Sequence, residues 1–331
     1  MYDITIIGYG ITGMLVLAIL QQHSIDLSKV CVIDPYFDGG NLIRSWGHVI
    51  SNTPLSKTVN ALKLINPDYI LPERFSTYDI NKTTPLWVLV QIVRDITNPI
   101  LKQVDTIESK VNSIDYNSHY TIETDSSTIH SKLIILCQGS EPKKLKCDIP
   151  IIPLHIALNE QMLKNYVLPN EKVLVFGTSH SGCIILENLH KLNIQTMAVH
   201  KSKAPFLFAR DGEYDGIKEE AERIAHEILE NKYNNLTLLH INEIDKIIKG
   251  SKQADYVVYC IGFETKSTIK TNFDITKYDS TNGRIKDVEK AYGFGIAYPS
   301  LAPDSIHVDV GIISFVEHIQ KQIEDIKKLI Y

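Results

Sequence analysis

A short apolar strand that breaks into glycines and restarts as a helix leaves few topologies open, and this chain contains that pattern twice. Asp3 to Ile7 reads as a buried strand, and Gly8, Gly10 and Gly13 follow it in GxGxxG spacing. Ile11 to Gln22 then carries helical apolar spacing, and Val30 to Ile33 is a second apolar strand. Further along, Lys172 to Phe176, Cys183 to Leu192 and Thr196 to Val199 repeat the order of strand, helix and strand. Each is a βαβ unit, so the expected class is α/β with two Rossmann-like, doubly wound domains.

The glycines have distinct tasks. Gly8 permits the tight turn, Gly10 lets the backbone approach a pyrophosphate, and Gly13 lets helix pack on strand. The amino end of the helix attracts the anion. Asp34 ends the second strand, where a carboxylate accepts hydrogen bonds from ribose hydroxyls and repels a 2′-phosphate. The first site is therefore expected to take FAD or NAD rather than NADP. Gly177, Thr178, Ser179, His180, Ser181 and Gly182 form the second turn, again between a strand and a helix. Its second strand is followed by His200, Lys201, Ser202 and Lys203, with no acid among them. Cations and a hydroxyl there suit a ribose 2′-phosphate, so NADPH is expected over NADH, with Arg210 a reserve ligand.

Each unit is followed by an apolar strand that ends in a glycine turn, Leu133 to Gly139 and Tyr256 to Gly262. Alternation over Lys110 to Tyr116 and Tyr120 to Glu123, with Asn117 and Ser118 as the turn, predicts an antiparallel hairpin covering the first sheet. Proline-rich sequence at 142–153 and the stretch 264–270 mark the boundaries. They imply a first domain of 1–148 with 266–331, and a second of 149–265 inserted into it. The charged stretch Gly216 to Lys232 reads as a helix with a solvated face.

Bulk properties narrow the partners. With 34 Lys and Arg against 39 Asp and Glu, the net charge of −5 offers no footprint for nucleic acid. Apolar stretches such as Met14 to Leu20 fall short of the roughly 20 residues that span a bilayer, and the chain enters its first strand almost at once, so a soluble, cytoplasmic protein is expected. The five cysteines are scattered with no CxxC pair, which argues against structural zinc and a vicinal redox disulfide, and no metal site is expected. Cys31, Cys137, Cys183 and Cys260 sit in apolar runs and read as small buried hydrophobes.

Four segments, IIGYGITG at Ile6, SNTPLSK at Ser51, VFGTSHSGCIILENL at Val175 and AYGFGIAYPSL at Ala291, carry a resemblance. In that order they resemble the two-dinucleotide flavoproteins, and within them the flavin-containing and N-hydroxylating monooxygenases more than the thioredoxin reductases. The resemblance implies a three-layer ββα FAD domain with an inserted NADPH domain. It also implies transfer of hydride from NADPH to FAD, followed by oxygen activation at flavin C4a. The FAD set would be Gly8, Gly10, Gly13, Asp34, Pro35, Gly40, Trp46, Thr53, Gly139, Gly295 and Ile296. The NADPH set would be Gly177 to Gly182, His200, Lys201, Lys203 and Gly262.

Asn52 matches the asparagine that helps hold the oxygenated flavin in those monooxygenases, because a neutral amide both donates and accepts. His48, beside it, is the acid–base candidate. As a bland reading, Asn52 and Thr53 are loop or helix-cap residues before Pro54. Tyr292, Phe294 and Tyr298 read as packing around the flavin region. The chain departs from the family pattern at Ser179, where glycine is usual, and at Ile296, where reductases have aspartate. Trp46 stands late after Gly39 and Gly40. Ile149, Ile151 and Asn159 replace the motif residues around His155. The alternatives are an NADPH-dependent flavin reductase feeding a disulfide, quinone or protein acceptor, and a non-catalytic nucleotide sensor. The expected partner is a small-molecule substrate or electron acceptor, and a homodimer is permitted.

Overall fold

A computed structural model of the protein describes residues 1–209, 216–266, 268–301 and 308–331. The chain divides into two compact units, one of Met1–Glu141 with Glu264–Tyr331 and one of Pro142–Phe263. These limits precede the expected boundaries at 148 and 265 by seven and two residues.

In the first unit, Tyr2–Ile7 pairs in parallel with Val30–Asp34 on one side and with Thr128–Leu136 on the other. Asp105–Glu108 and Ala291–Gly293 extend the parallel sheet at its two ends. Strand alternation sends Ile4, Ile6, Val30 and Val32 to one face and Ile7, Cys31 and Ile33 to the other. Helices cover the first face, contributing Met14 and Leu17 from Ile11–Gln22, Leu55 and Leu62 from Leu55–Ile65, and Val88 and Ile92 from Leu86–Leu101. The carboxy-terminal helix Ile312–Ile330 adds Val316, Ile319, Ile323 and Ile326 at helical spacing.

The second face is covered by the hairpin Val111–Asn117 with His119–Thr124, which buries Ile114, Tyr120 and Ile122 against Ile7 and Ile33. Ser118, at φ 71°, makes its turn. Thr128–Leu136 serves both layers. Its first half pairs antiparallel with the hairpin and its second half parallel with Tyr2–Ile7, the exchange falling at the buried Ser131. Helices, parallel sheet and hairpin give the expected three layers.

The second unit has a four-stranded parallel sheet in the order Leu236–His240, Gln195–His200, Lys172–Phe176 and Tyr256–Tyr259. The helix that follows its glycine turn, His180–Lys191, starts three residues before the expected Cys183. The charged helix spans Glu220–Leu229, shorter than its sequence pattern. It buries Ala221, Ile224, Ala225 and Ile228, while Arg223 pairs with Glu187, Glu220 and Glu227 on the open side. Among the described residues, no helix is long and apolar enough to cross a membrane.

Candidate dinucleotide sites

The three glycines of the first turn are required for different reasons. Gly8, at φ 99°, donates its amide to the Ile33 carbonyl at 2.8 Å, and a Cβ there would lie 2.5 Å from the Cys137 oxygen. At Gly13 a Cβ would overlap the Gly8 carbonyl. Both are glycine because strand, turn and helix press on one another. Gly10 differs, since its Cβ would meet nothing nearer than the Gly39 carbonyl at 3.8 Å. Gly10 is also the N-cap of Ile11–Gln22 and supplies no side-chain cap, and no acid stands in the first turn. The first amides of a twelve-residue helix therefore receive no side-chain cap, which fits a pyrophosphate.

Asp34 is buried at the end of its strand. One carboxylate oxygen accepts the Tyr9 amide at 2.8 Å and the other accepts those of Tyr36 and Phe37 at 2.9 Å. Asp34 thus fixes the glycine loop and the turn containing Pro35, leaving about one of its four or so acceptor positions for a ribose hydroxyl. Gly40 follows, its Cβ position 3.0 Å from the Gly10 Cα. Asp38 accepts the Gly40 amide at 2.9 Å and pairs with Arg44 at 2.7 Å.

The late turn arrives from the far end of the sequence. Ala291–Gly293 joins the edge of Thr128–Leu136, and the Phe294 amide reaches the Leu136 carbonyl at 3.1 Å. Gly295, at φ 85°, then lies against the first turn of the opening helix, where a Cβ would overlap Thr12. Ile296 is exposed beside it, while Tyr292, Phe294 and Tyr298 are buried as aromatic core. Gly139, at φ 72°, has no atom within 4 Å of its Cβ position.

Asn52 and Thr53 belong to a strand, Ile50–Pro54, paired irregularly with Thr83–Pro85, so neither is a loop or cap residue; Pro54 is the N-cap of Leu55–Ile65. Asn52 is exposed and Thr53 half-buried, with the Thr53 carbonyl accepting from Ser51 Oγ at 2.8 Å. His48 is exposed and Trp46 half-buried. Leu86–Leu101 links this segment to the cradle. The Trp87 and Leu86 amides donate to Gly47 and Val49 at 3.0 and 2.9 Å, and Val90 crowds Gly39.

The second turn repeats the first almost atom for atom. Gly177, at φ 100°, donates to the Val199 carbonyl at 2.9 Å and presses on Cys260, while Gly182 presses on the Gly177 carbonyl. Cys137 and Cys260 occupy equivalent places, each donating its amide to the last residue of the opening strand, Ile7 or Phe176, at 2.7 Å. Burial pushes both thiols far above their usual range, so both act as packing. Ser179 stands where Gly10 stands in the first turn, exposed and supplying no side-chain cap. Thr178 is buried and donates to the Pro205 carbonyl; His180 and Ser181 are half-buried.

His200 is buried, with Nδ1 2.9 Å from the Ser202 carbonyl and its ring edge-on to His240. Because a carbonyl only accepts, Nδ1 carries the proton and the ring holds the turn together. Lys201 and Lys203 are exposed on that turn, and Gly262, at φ 92°, is as open as Gly139. Arg210 lies outside the described residues.

Sequence reasoning missed Gln138 and Lys266. Gln138 Nε2 reaches the Tyr298 hydroxyl at 3.0 Å and the Lys266 carbonyl at 3.4 Å, while its Oε1 is buried with no partner among the described residues. Lys266 is half-buried, and burial together with Arg44 pulls its amine below the usual range against the opposing pull of Glu141 and Asp34. A glutamine before a glycine turn and a lysine far downstream carry no periodic signal that joins them.

No family model matches the chain. It is similar to Monooxygenase AgnR1 of Paecilomyces divaricatus, at 24% identity over an alignment covering 96% of this chain and 95% of that protein. The bacillithiol disulfide reductase of Bacillus cereus superposes with a TM-score of 0.65 at 15% identity, over 99% of each chain. The Kutzneria sp. 744 ornithine N-hydroxylase, in complex with reduced FAD, NADP+ and L-ornithine, gives 0.66 at 11%, again over 99% of each. The fold is that shared by two-dinucleotide-binding flavoprotein reductases and N-hydroxylating monooxygenases.

Proposed function

We propose, from that fold as premise, that the chain is an FAD-dependent, NADPH-oxidising oxidoreductase. The observation that carries the reading is the doubled cradle, in which two glycine turns share one backbone geometry while different residues follow their second strands. Asp34 follows one and Lys201 with Lys203 follow the other, which suits a bare ribose in the first unit and a phosphorylated ribose in the second. FAD would lie on Gly8, Gly10, Gly13, Asp34, Pro35, Gly40, Trp46, Thr53, Gly139, Gly295 and Ile296. NADPH would lie on Gly177 to Gly182, the two lysines and Gly262, with His200 shaping the turn. Bound flavin supplies two-electron chemistry, taking electrons from NADPH and passing them on. The protein orients the rings and limits water.

We favour a monooxygenase on the SNTPLSK segment and the similarity to a named monooxygenase, with Asn52 donating and accepting beside the flavin. A second reading, a flavin reductase serving an outside acceptor, is supported by the similarity in fold to a bacillithiol disulfide reductase.

The test begins with the purified protein. It should carry yellow flavin and bleach without air faster with NADPH than with NADH. A colourless protein that refuses added flavin and has no affinity for NADPH overturns the proposal. Mixing the reduced protein with oxygen separates the readings. A lag before the yellow colour returns, shortened in Asn52→Ala, supports the monooxygenase, and immediate return in both proteins supports the reductase.

A further inference from the structure

Arg74, Phe75, Thr77, Tyr78, Trp87 and Gln91 line an open cleft of about 520 Å³ in the first unit, a size that suits a small organic molecule. Three of its six lining residues are aromatic. Tyr78 and Trp87 meet edge to face with ring centres 6.3 Å apart, and Phe75 is buried. Trp87 leaves 38% of its surface open. The one charge on the lining is already spent on a partner, because Arg74 contacts both carboxylate oxygens of Asp95 and lies 4.9 Å from the Phe75 ring centre. Beside that paired cation the lining offers neutral groups, the Thr77 and Tyr78 hydroxyls and the Gln91 amide.

The cleft adjoins the segment that carries the catalytic candidates. The Trp87 amide is bonded to Gly47 and the Leu86 amide to Val49, so the stacking wall is fixed to the residues on either side of His48. That segment continues directly into Asn52.

We propose that this cleft binds a neutral, planar aromatic molecule of two or three fused rings, with Trp87 as stacking face and Gln91 and Thr77 bonding a hydroxyl or carbonyl on it. The ligand is the substrate or acceptor of the redox reaction, an assignment that rests on the proposed function. Aromatic stacking adds about 0.5–1.5 kcal/mol beyond area burial, or up to roughly tenfold in affinity. Paired cation and neutral lining disfavour amino acids and other ions.

The full-length protein should bind 2-naphthol saturably in a calorimetric titration, and cyclohexanol, with the same hydroxyl on a non-planar ring, roughly tenfold more weakly. Trp87→Ala should weaken 2-naphthol roughly tenfold, and Trp87→Phe and Gln91→Ala by smaller factors; the latter two decide the matter if Trp87→Ala does not fold. Absent binding, equal binding of cyclohexanol, or affinity unchanged in the Trp87 and Gln91 variants would overturn the assignment. Bleaching by NADPH in the same samples separates the two claims. Normal bleaching without Trp87-dependent binding sinks the cleft alone, whereas Trp87-dependent binding in a protein that refuses flavin sinks only the redox role.

Discussion

At the scale of single residues, Gly8 and Gly10 look alike in the sequence and do different work. Gly8 is required by the protein itself, by its left-handed φ and by the Cys137 carbonyl, so Gly8→Ala should lower the melting temperature sharply. Gly10 has space for a methyl group in the free protein. Gly10→Ala should therefore melt close to wild type yet retain little flavin, measured by thermal melt and by flavin content of the purified protein. Equal loss of stability in both variants would remove the argument for a pyrophosphate at this turn.

A second residue-scale prediction concerns His318. It is buried edge-on to Phe294, and Nε2 has no partner among the described residues. Burial, aided by Lys321 and opposed by Asp279, holds its pKa down to about 4 from 6.5. The unfolded chain then binds the proton more readily, so stability is intact above about pH 6.5 and falls as pH drops towards 4. The loss approaches about 2 kcal/mol at pH 5, by the usual 1.36 kcal/mol per pKa unit. Urea unfolding at pH 7 and pH 5 should show this loss in wild type and not in His318→Phe.

At the scale of elements, the carboxy-terminal helix carries much of the first unit's core, though no motif announces it. Ile323 is buried against the opening helix layer, so Ile323→Ala should cost about 2–5 kcal/mol in urea unfolding. Glu317→Ala, on the exposed side, should stay within about 0.5 kcal/mol. Most elements were legible from periodicity alone. Ile11–Gln22 and Lys172–Phe176 have the expected limits, and the hairpin turn falls at Ser118. The strand holding Asn52 was not legible, because Thr83–Pro85, which pairs with it, lies about thirty residues on and reads as an isolated TTP. Helix His180–Lys191 began early because its first turn is polar and is held by the Gly177 packing, which apolar spacing does not record.

At the scale of the molecule, the second unit is continuous in sequence while the first is assembled from both ends of the chain. The 142–263 unit buries its own core of Leu174, Val199, Val257 and Tyr259. Expressed alone, it should fold to a cooperative melt, stay colourless and bind NADPH; aggregation, or flavin retained by this fragment, would contradict the division. The sequence alone determined the class of fold, the two glycine turns and the acid or lysines that follow them, because those depend on local backbone geometry and spacing. Tertiary structure decided that Gly295 meets Thr12, that Gln138 reaches Tyr298 and the Lys266 carbonyl, and that His200 is buried. It also decided that Trp87 forms a wall beside His48. Those pairings depend on which distant strands and helices pack together, and no short-range pattern encodes that.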